Sequence, residues 1–258
     1  MGKNHSSDSS KGILSVVGTG PGALDYLTPA ALKEISGADV IVGYKTYLDL
    51  IEDVIRGKEI VSSHMMQEVD RVNEAILLAE SGKVVVLVSG GDPGIYAMAG
   101  LVFEIARERG SKIEIKIRAG IAALNSCAEK LGAPLMHDFA TISLSDLLTP
   151  WETIENRLQA AASADFVIVI YNPKSKKRSW QLAKACEIIS RYREKSTPVG
   201  VVKAATRTNE EVHLTSLGDF TPETVDMQST VIIGNSTTYC WENRMITPRG
   251  YRNKYDLG

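Results

Sequence analysis

The sequence predicts an α/β protein with two lobes, and three observations support this fold class. Short β-branched runs alternate with longer helical segments, a pattern typical of parallel strands joined by crossover helices. The chain has 258 residues and is 44% hydrophobic, which is enough for two domains of ordinary size. The strand pattern changes after residue 118. We therefore expect a disordered tail over 1–11, an N-terminal lobe over 12–118 and a C-terminal lobe over 119–258.

The first lobe should contain a parallel sheet covered by helices on both faces. Strands are predicted over 13–17, 38–42, 83–89 and 112–117, and helices over 28–36, 45–56, 67–80 and 94–108. Thr28 has a side chain suited to an N-cap, and Pro29 loses no hydrogen bond at the first helical position. The first helix is therefore expected to begin at this pair.

The second lobe should be another α/β unit. A turn followed by a helix is predicted over 118–134, further helices over 151–162 and 178–193, and strands over 139–145, 165–171, 197–202, 211–217 and 229–234. The last strands lie close enough in sequence to pair antiparallel. The default ligand site of such a protein is the cleft between its lobes.

Composition excludes several classes of partner and site. The formal net charge is −2, so no global positive field attracts nucleic acid or an anionic membrane. Cys127, Cys186 and Cys240 lie far apart and form no motif with metal-ligand spacing. No apolar run reaches the length of a membrane span, and the first residues lack the apolar core of a signal peptide. We expect a reduced cytoplasmic protein that binds no metal of its own.

The first glycine-rich loop, VVGTGPGALDYLT over 16–28, looks at first like a phosphate cradle. Its glycines have the spacing G-x-G-x-G, and the helix begins only at Thr28, too late for its N–H groups to face a pyrophosphate. The second strand also lacks an acid for ribose, and no G-K-[ST] motif follows. The loop does not fit a dinucleotide or P-loop site, and a tight turn is the simple alternative.

A second loop, SGGDPGIYAMAG over 89–100, follows the most apolar strand. Together with GTGPG at 18–22, it resembles the tetrapyrrole (class III) S-adenosylmethionine-dependent methyltransferases. More narrowly, the segments 41–51, 89–100, 132–151 and 171–180 resemble the methyltransferases of cobalamin biosynthesis that act at C17 of precorrin-3B or cobalt-factor III. This resemblance implies two α/β lobes, methyl transfer to a corrinoid with associated ring contraction, and a homodimer.

The resemblance also implies a donor site for S-adenosylmethionine. Its expected members lie in the second glycine-rich loop and in three later turns. They are Gly90, Gly91, Asp92, Ile95, Ala122, Ala123, Tyr171, Asn172, Ala204 and Ala205. Small side chains suit contacts made by backbone. Ala122 stands where related enzymes often carry threonine, so one hydroxyl contact is missing.

The acceptor that the resemblance implies carries acetate and propionate groups, so its site should contain cations. The expected acceptor contacts are Pro21, Lys45, Lys174, Arg178 and Arg207. The basic run over 174–178, which also contains Lys176 and Lys177, could alternatively be a solvated loop. Whether the acceptor carries cobalt is left open by the sequence.

Ring contraction involves proton movement, so an acid or base is expected beside the acceptor. The candidates are His137, Asp138 and Asp146, with Ser145 adjacent to the last. His137 could instead ligate a substrate cobalt or be a buried imidazole with satisfied hydrogen bonds. Asp146 could merely cap the turn before the helix predicted at 151.

Two alternative functions stay open at this point. A methylase of the same fold could act at another corrinoid position or on a more distant acceptor. A nicotinamide-dependent oxidoreductase or nucleotide sensor would need a doubly wound fold with a phosphate-binding loop. The late helix start at Thr28 and the missing ribose acid oppose the second alternative.

Overall fold

The computed structural model describes residues 12–64, 67–175 and 178–256. Its contacts divide the chain into two compact units that meet in sequence between Ala122 and Ala123, slightly after the predicted boundary at 118. The tail predicted over 1–11 lies outside the described residues, as do Lys176 and Lys177.

The first unit is built on a five-stranded sheet in which every pairing is parallel. The strand order is β3-β2-β4-β1-β5. The elements are β1 (Ile13–Gly18), α1 (Pro29–Gly37), β2 (Val40–Tyr44), α2 (Lys45–Asp49), α3 (Glu52–Ile55), β3 (Glu59–Ser63), α4 (Glu68–Glu80), β4 (Val84–Ser89), α5 (Ala99–Arg109) and β5 (Glu114–Arg118). The predicted strands are present, and β3 is an additional edge strand.

Side chains that alternate along the strands fill two cores, one on each face of the first sheet. Leu14 and Val16 of β1 pack in the core formed with α4 and α5, whereas Val17 packs with α1, α2 and α3. This period-two alternation buries both faces of a parallel sheet, as the sequence predicted. The carboxyl ends of β1 and β4 lie side by side at the centre.

Helix boundaries in the first unit follow local chemistry. The Thr28 hydroxyl accepts from the Ala31 N–H at 3.1 Å, and Pro29 opens α1, which confirms the predicted start. The helix predicted over 94–108 begins only at Ala99, because Tyr96 has φ +53 and a left-handed residue interrupts a right-handed helix.

The second unit also contains a five-stranded sheet, in the order β10-β9-β11-β8-β7. The elements are α6 (Ala123–Leu131), β6 (Gly132–Ala133), β7 (Phe139–Ser143), α7 (Trp151–Ser163), β8 (Val167–Tyr171), α8 (Gln181–Ile189), β9 (Pro198–Lys203), β10 (Glu211–Ser216), β11 (Ser229–Ile233), β12 (Tyr239–Trp241) and β13 (Arg244–Ile246). Only β7 and β8 pair parallel in this sheet, and β9, β10 and β11 pair antiparallel as predicted.

Two features of the second unit differ from the sequence expectation. β12, β13 and β6 form a small separate sheet that was not predicted. The helix predicted over 178–193 is shortened to α8, because Ser175 and Arg178 exchange backbone hydrogen bonds of 2.9 and 3.1 Å before it begins. Within the described ranges, every helix is too short or too polar to cross a bilayer.

Candidate active site

The two glycine-rich loops of the first unit are joined by their backbones. The Gly20 N–H donates to the Gly91 carbonyl at 3.2 Å, and the Gly91 N–H donates to the Gly20 carbonyl at 2.8 Å. Their φ angles are +76 and +64, a region that glycine adopts without strain. The loops after β1 and β4 therefore form one paired structure, flanked by the buried side chain of Pro21.

A third loop packs against this pair. A Cβ added to Gly120 would lie 2.1 Å from the Gly91 carbonyl oxygen, and one added to Gly18 would lie 2.5 Å from the same atom. Side chains at either position would collide with backbone. Gly120 was not singled out from the sequence, since only the packing of three loops shows why glycine is required there.

The Asp92 carboxylate fixes the loop after β4. Its Oδ1 accepts from the Gly94 N–H at 2.8 Å, and its Oδ2 accepts from the Gly120 N–H at 3.1 Å. Ile95 is half-buried beside it, and its N–H donates to the Asp92 carbonyl at 3.3 Å. The predicted donor residues of the first unit thus form a rigid backbone edge at the carboxyl end of the sheet, where α/β proteins bind ligands.

Tyr47 contacts this edge from α2. A Cβ on Gly90 would lie 2.6 Å from the Tyr47 Cε1 atom, so the aromatic ring lies directly against the glycine. The ring of Tyr44 meets that of Tyr47 edge to face at 5.4 Å. Gly90 is thus required for close approach of an aromatic side chain, a contact that the sequence did not reveal.

In the second unit, predicted donor residues lie at the end of β8 and before α6. The Tyr171 hydroxyl accepts from the Leu124 N–H at 2.8 Å, which satisfies one of the unpaired donors at the start of α6. Asn172 has φ +50, and its Nδ2 donates to the Ser143 hydroxyl at 2.9 Å. Ala123 opens α6, so these residues form one contiguous cluster.

The turn after β9 presents backbone rather than side chains. Ala204 and Ala205 are buried, at 4% and 7% exposure, and Ala122 of the first unit is 3% exposed. Ala204 has φ +48, and its carbonyl accepts from the Arg207 N–H at 2.9 Å. The ligand contacts expected of these alanines through their main chain stay a prediction.

Asp146 is held by a residue that sequence reasoning missed. The Gln181 Nε2 donates to the Asp146 Oδ2 at 2.9 Å, and Gln181 is 3% exposed. Pro150 is the N-cap residue of α7, and no side-chain hydrogen bond caps that helix in the described ranges, so a cap on the preceding turn stays an alternative role for Asp146. A glutamine at a helix start carries no sequence signal for this contact.

Arg178 lies near Asp146 and contacts the Asn172 backbone. Its Nη2 donates to the Asn172 carbonyl at 3.1 Å, while its buried Nε has no partner within the described part of the chain. Burial lowers the pKa of Arg178, and the nearby Asp146 carboxylate partly offsets that effect. A partly desolvated guanidinium with donor capacity left suits an anionic group.

His137 and Asp138 are accessible side chains. Their side chains are 42% and 72% exposed, so the alternative of a buried imidazole is wrong. The His137 Nδ1 accepts from the Asp138 N–H at 2.8 Å and lies 3.8 Å from the Asp138 Oδ2. In the described ranges, no group of three or more His, Cys, Asp or Glu side chains could hold a metal ion.

The other predicted acceptor contacts already have partners. The Lys45 Nζ pairs with Asp49 at 2.9 Å on the exposed face of α2, and the Lys174 Nζ donates to the Glu223 carbonyl at 2.8 Å. Arg207 lies half-buried in the turn after β9. These cations are therefore spread over three elements, and only Arg178 belongs to the cluster around Asp146.

The sequence matches the model of the tetrapyrrole (corrin/porphyrin) methylases over residues 14–221. The chain belongs to this family. A methyltransferase from Priestia megaterium named cobalt-factor III methyltransferase is 50% identical over 251 residues, which are 96% of this methylase and 46% of that protein. A probable cobalt-factor III C(17)-methyltransferase from Salmonella typhimurium is 48% identical over 239 residues, or 93% of this chain and 99% of the other.

A solved structure is also similar to this methylase. The crystal structure of the methyltransferase CobJ is 37% identical, with a TM-score of 0.87 over 92% of this chain and 100% of that one. Membership of the family confirms the α/β fold with two sheet-containing regions and excludes the nicotinamide-dependent alternative. The methylase chain spans about half the length of some relatives, such as the Priestia protein, and nearly all of others.

Proposed function

We propose that this chain transfers a methyl group from S-adenosylmethionine to C17 of precorrin-3B or cobalt-factor III, with ring contraction, in cobalamin biosynthesis. The observation that carries the proposal is the 48% identity with the Salmonella protein over nearly the full length of both chains. A match of that extent includes the donor-side loops and the segments around Asp146 and Arg178.

The proposed donor ligands are the backbone edge of the first unit and the small residues of the second. They are Gly90, Gly91, Asp92, Ile95, Ala122, Ala123, Tyr171, Asn172, Ala204 and Ala205. S-adenosylmethionine supplies an electrophilic methyl group, so the protein needs chiefly to align and desolvate the reactants. The loops bonded through Gly20, Gly91 and Gly120 support this assignment, because a rigid edge holds a ligand in one orientation.

The proposed acceptor contacts are Pro21, Lys45, Lys174, Arg178 and Arg207. Among them, Arg178 has the strongest support, since its guanidinium is partly buried and its Nε is unpaired. Lys45 and Lys174 would each have to exchange an existing partner for a substrate carboxylate.

Asp146 is the proposed acid or base of the ring contraction. Its carboxylate is oriented by the Gln181 amide, and a catalytic proton carrier needs such orientation. His137 and Asp138 are the second candidates, and their exposure leaves them open to an approaching acceptor. A cytoplasmic homodimer completes the proposal, and analytical ultracentrifugation of the purified chain tests the dimer.

Methyl transfer to the trimethylated corrinoid tests the function. The wild-type chain, S-adenosylmethionine and precorrin-3B or cobalt-factor III should give a product with one added methyl group at C17 and the spectrum of a contracted ring. Reactions with and without cobalt in the acceptor should show which form is the substrate. Absence of methylation in both would refute the proposal, and methylation at another carbon would establish the alternative corrinoid activity.

Two variants on neighbouring segments provide a matched comparison. Arg178→Gln should raise the KM for the acceptor about tenfold or more, because a charge-assisted contact is lost. Arg191→Gln removes a cation whose side chain is 57% exposed and pairs with Glu187, and it should leave the KM unchanged. Equal KM values in both variants would remove Arg178 from the acceptor site.

A further inference from the structure

The guanidinium of Arg71 is a buried charge that forms no ion pair with a carboxylate of the described residues. Arg71 lies in the first turns of α4 and is 6% exposed. No ion pair within 4.0 Å involves it in the ranges that the structure describes. A buried cation is costly unless an anion or several strong acceptors compensate it.

The groups that Arg71 contacts within the described ranges are neutral. Its Nε donates to the Ser63 hydroxyl at 2.5 Å, and its Nη2 donates to the His64 carbonyl at 2.9 Å. Its Nη1 reaches only the Met98 sulfur, at 3.8 Å, and a thioether is a weak acceptor. One edge of the guanidinium therefore retains its capacity to bind an anion.

Electrostatics agree with this description. Burial lowers the pKa of Arg71, and Glu68, Tyr47 and Tyr44 oppose the effect from a distance. An arginine nevertheless stays protonated in proteins. The positive charge is thus present but not neutralised at contact distance.

Arg71 lies at the ligand-binding edge of the first sheet. Ser63 ends β3 and Tyr44 ends β2, and the guanidinium carbon lies 6.0 Å from the centre of the Tyr44 ring. Tyr44 contacts Tyr47, which lies against Gly90 after β4. A chain of two aromatic rings thus connects Arg71 to the loop of the proposed donor site.

We propose that Arg71 is a carboxylate receptor for one of the two ligands of methyl transfer. Two sources of that carboxylate exist, the methionine part of the donor and an acetate or propionate arm of the tetrapyrrole. A carboxylate at Nη1 would replace the thioether contact with a charge-assisted hydrogen bond and neutralise the buried cation. The proposal rests on the proposed function, since it takes both ligands from that reaction.

The experiment compares Arg71→Gln with wild type and with Arg109→Gln. Arg109 is the matched control, because its side chain is 33% exposed and already pairs with Glu80. Isothermal titration gives the Kd for S-adenosylhomocysteine and for 5′-methylthioadenosine, which lacks the carboxylate. Steady-state kinetics give the acceptor KM and kcat, and thermal unfolding reports whether each variant is folded.

Each source of the carboxylate has its own signature. If the donor supplies it, Arg71→Gln should weaken S-adenosylhomocysteine about 10-fold to 100-fold and leave methylthioadenosine unchanged. If the tetrapyrrole supplies it, the acceptor KM should rise by the same factor while both Kd values and kcat stay near wild type. Wild-type constants in a folded Arg71→Gln overturn the proposal and leave Arg71 a role in stability alone.

Arg71→Lys keeps the experiment decisive if Arg71→Gln does not fold. Lysine retains the charge but lacks the planar donor fork, so the affected constant should still change about fivefold. Wild-type constants in folded Arg71→Lys would then overturn the proposal. Failure of the wild-type chain to methylate any corrinoid refutes the proposed function separately, and the titrations with S-adenosylhomocysteine still test the donor source.

Discussion

The side-chain carboxylate of Asp92 accepts a hydrogen bond from the backbone N–H of Gly120 at 3.1 Å. This bond joins the loop after β4 to the loop after β5. The second oxygen accepts from the Gly94 N–H at 2.8 Å, so the carboxylate satisfies two backbone donors that the sheet leaves unpaired. Asp92 therefore shapes the edge on which the donor is proposed to bind, whatever it contributes to the ligand directly.

Replacement of Asp92 by alanine should impair stability and donor binding together. The change removes the acceptor of the part-buried Gly120 N–H and of the exposed Gly94 N–H, so the free energy of unfolding should fall by about 1–3 kcal/mol, chiefly through Gly120. The Kd for S-adenosylhomocysteine should rise because the Gly120 loop is released. Urea unfolding and isothermal titration measure the two effects.

Asp53→Ala is the control for this prediction. The Asp53 side chain is 73% exposed and pairs only with the exposed Arg56 among described ion pairs, so unfolding should change by less than about 1 kcal/mol. If Asp92→Ala lost no more stability than this control, the hydrogen bond from Gly120 to Asp92 would not contribute to the stability of the fold.

A methyl group at Gly120 should separate the three loops. Its Cβ would lie 2.1 Å from the Gly91 carbonyl oxygen, and backbone on both sides prevents an inexpensive shift. Gly120→Ala should lower the melting temperature and weaken S-adenosylhomocysteine. Gly37→Ala is the matched control, because no atom of the described residues lies within 4 Å of its added Cβ, and thermal unfolding of both variants tests the difference. Equal melting temperatures would contradict the close packing.

Tyr171→Phe should destabilise the second unit, although the side chain keeps nearly the same shape. The variant removes the hydroxyl that accepts from the Leu124 N–H, so one donor at the start of α6 loses its partner. We expect a loss of about 1–2 kcal/mol in urea unfolding. Tyr239→Phe, at a tyrosine that is 49% exposed, should have no comparable effect. An unchanged free energy of unfolding in Tyr171→Phe would show that water replaces the hydroxyl at no cost.

Local chemistry predicted the elements of this fold well, as α1 illustrates. Thr28 and Pro29 set its start through contacts within one helical turn, and such contacts are readable from sequence. β3 was missed because it is an edge strand whose first two residues are exposed, so it lacks the apolar run that marked its neighbours. Where a left-handed residue such as Tyr96 intervenes, the periodicity of the sequence does not reveal it.

The candidate site was predicted less completely, because its contacts join distant positions. The glycine loops were found from their composition, but the bonds between Gly20 and Gly91 depend on adjacent strands. Gln181 lies 35 residues from Asp146 in the sequence. Arg71 is distinguished from other arginines by its burial, which only the structure shows. A sequence pattern indicates which residue types belong to a site, but it does not show which of these residues are in contact.

The pH dependence of stability should depend on Glu34, which joins α1 to two strands. Its Oε2 accepts from the Ser15 hydroxyl at 2.8 Å, and its Oε1 accepts from the Arg118 Nε at 2.7 Å. Burial alone would raise the pKa of Glu34, but the bonds from Ser15 and Arg118 outweigh it and hold the pKa below the ordinary value of 4.5. The folded state therefore favours the ionised carboxylate.

A group with a depressed folded pKa stabilises the protein above its unfolded pKa and loses that effect as the pH falls through the folded value. The stability difference between wild type and Glu34→Gln should thus be largest near neutral pH and shrink below about pH 4.5. Urea unfolding from pH 7 to the lowest pH at which the chain stays folded measures it. Glu108→Gln, at an exposed position on α5, should run parallel to wild type. A constant difference for Glu34→Gln would show that Ser15 and Arg118 bind its protonated and ionised forms equally.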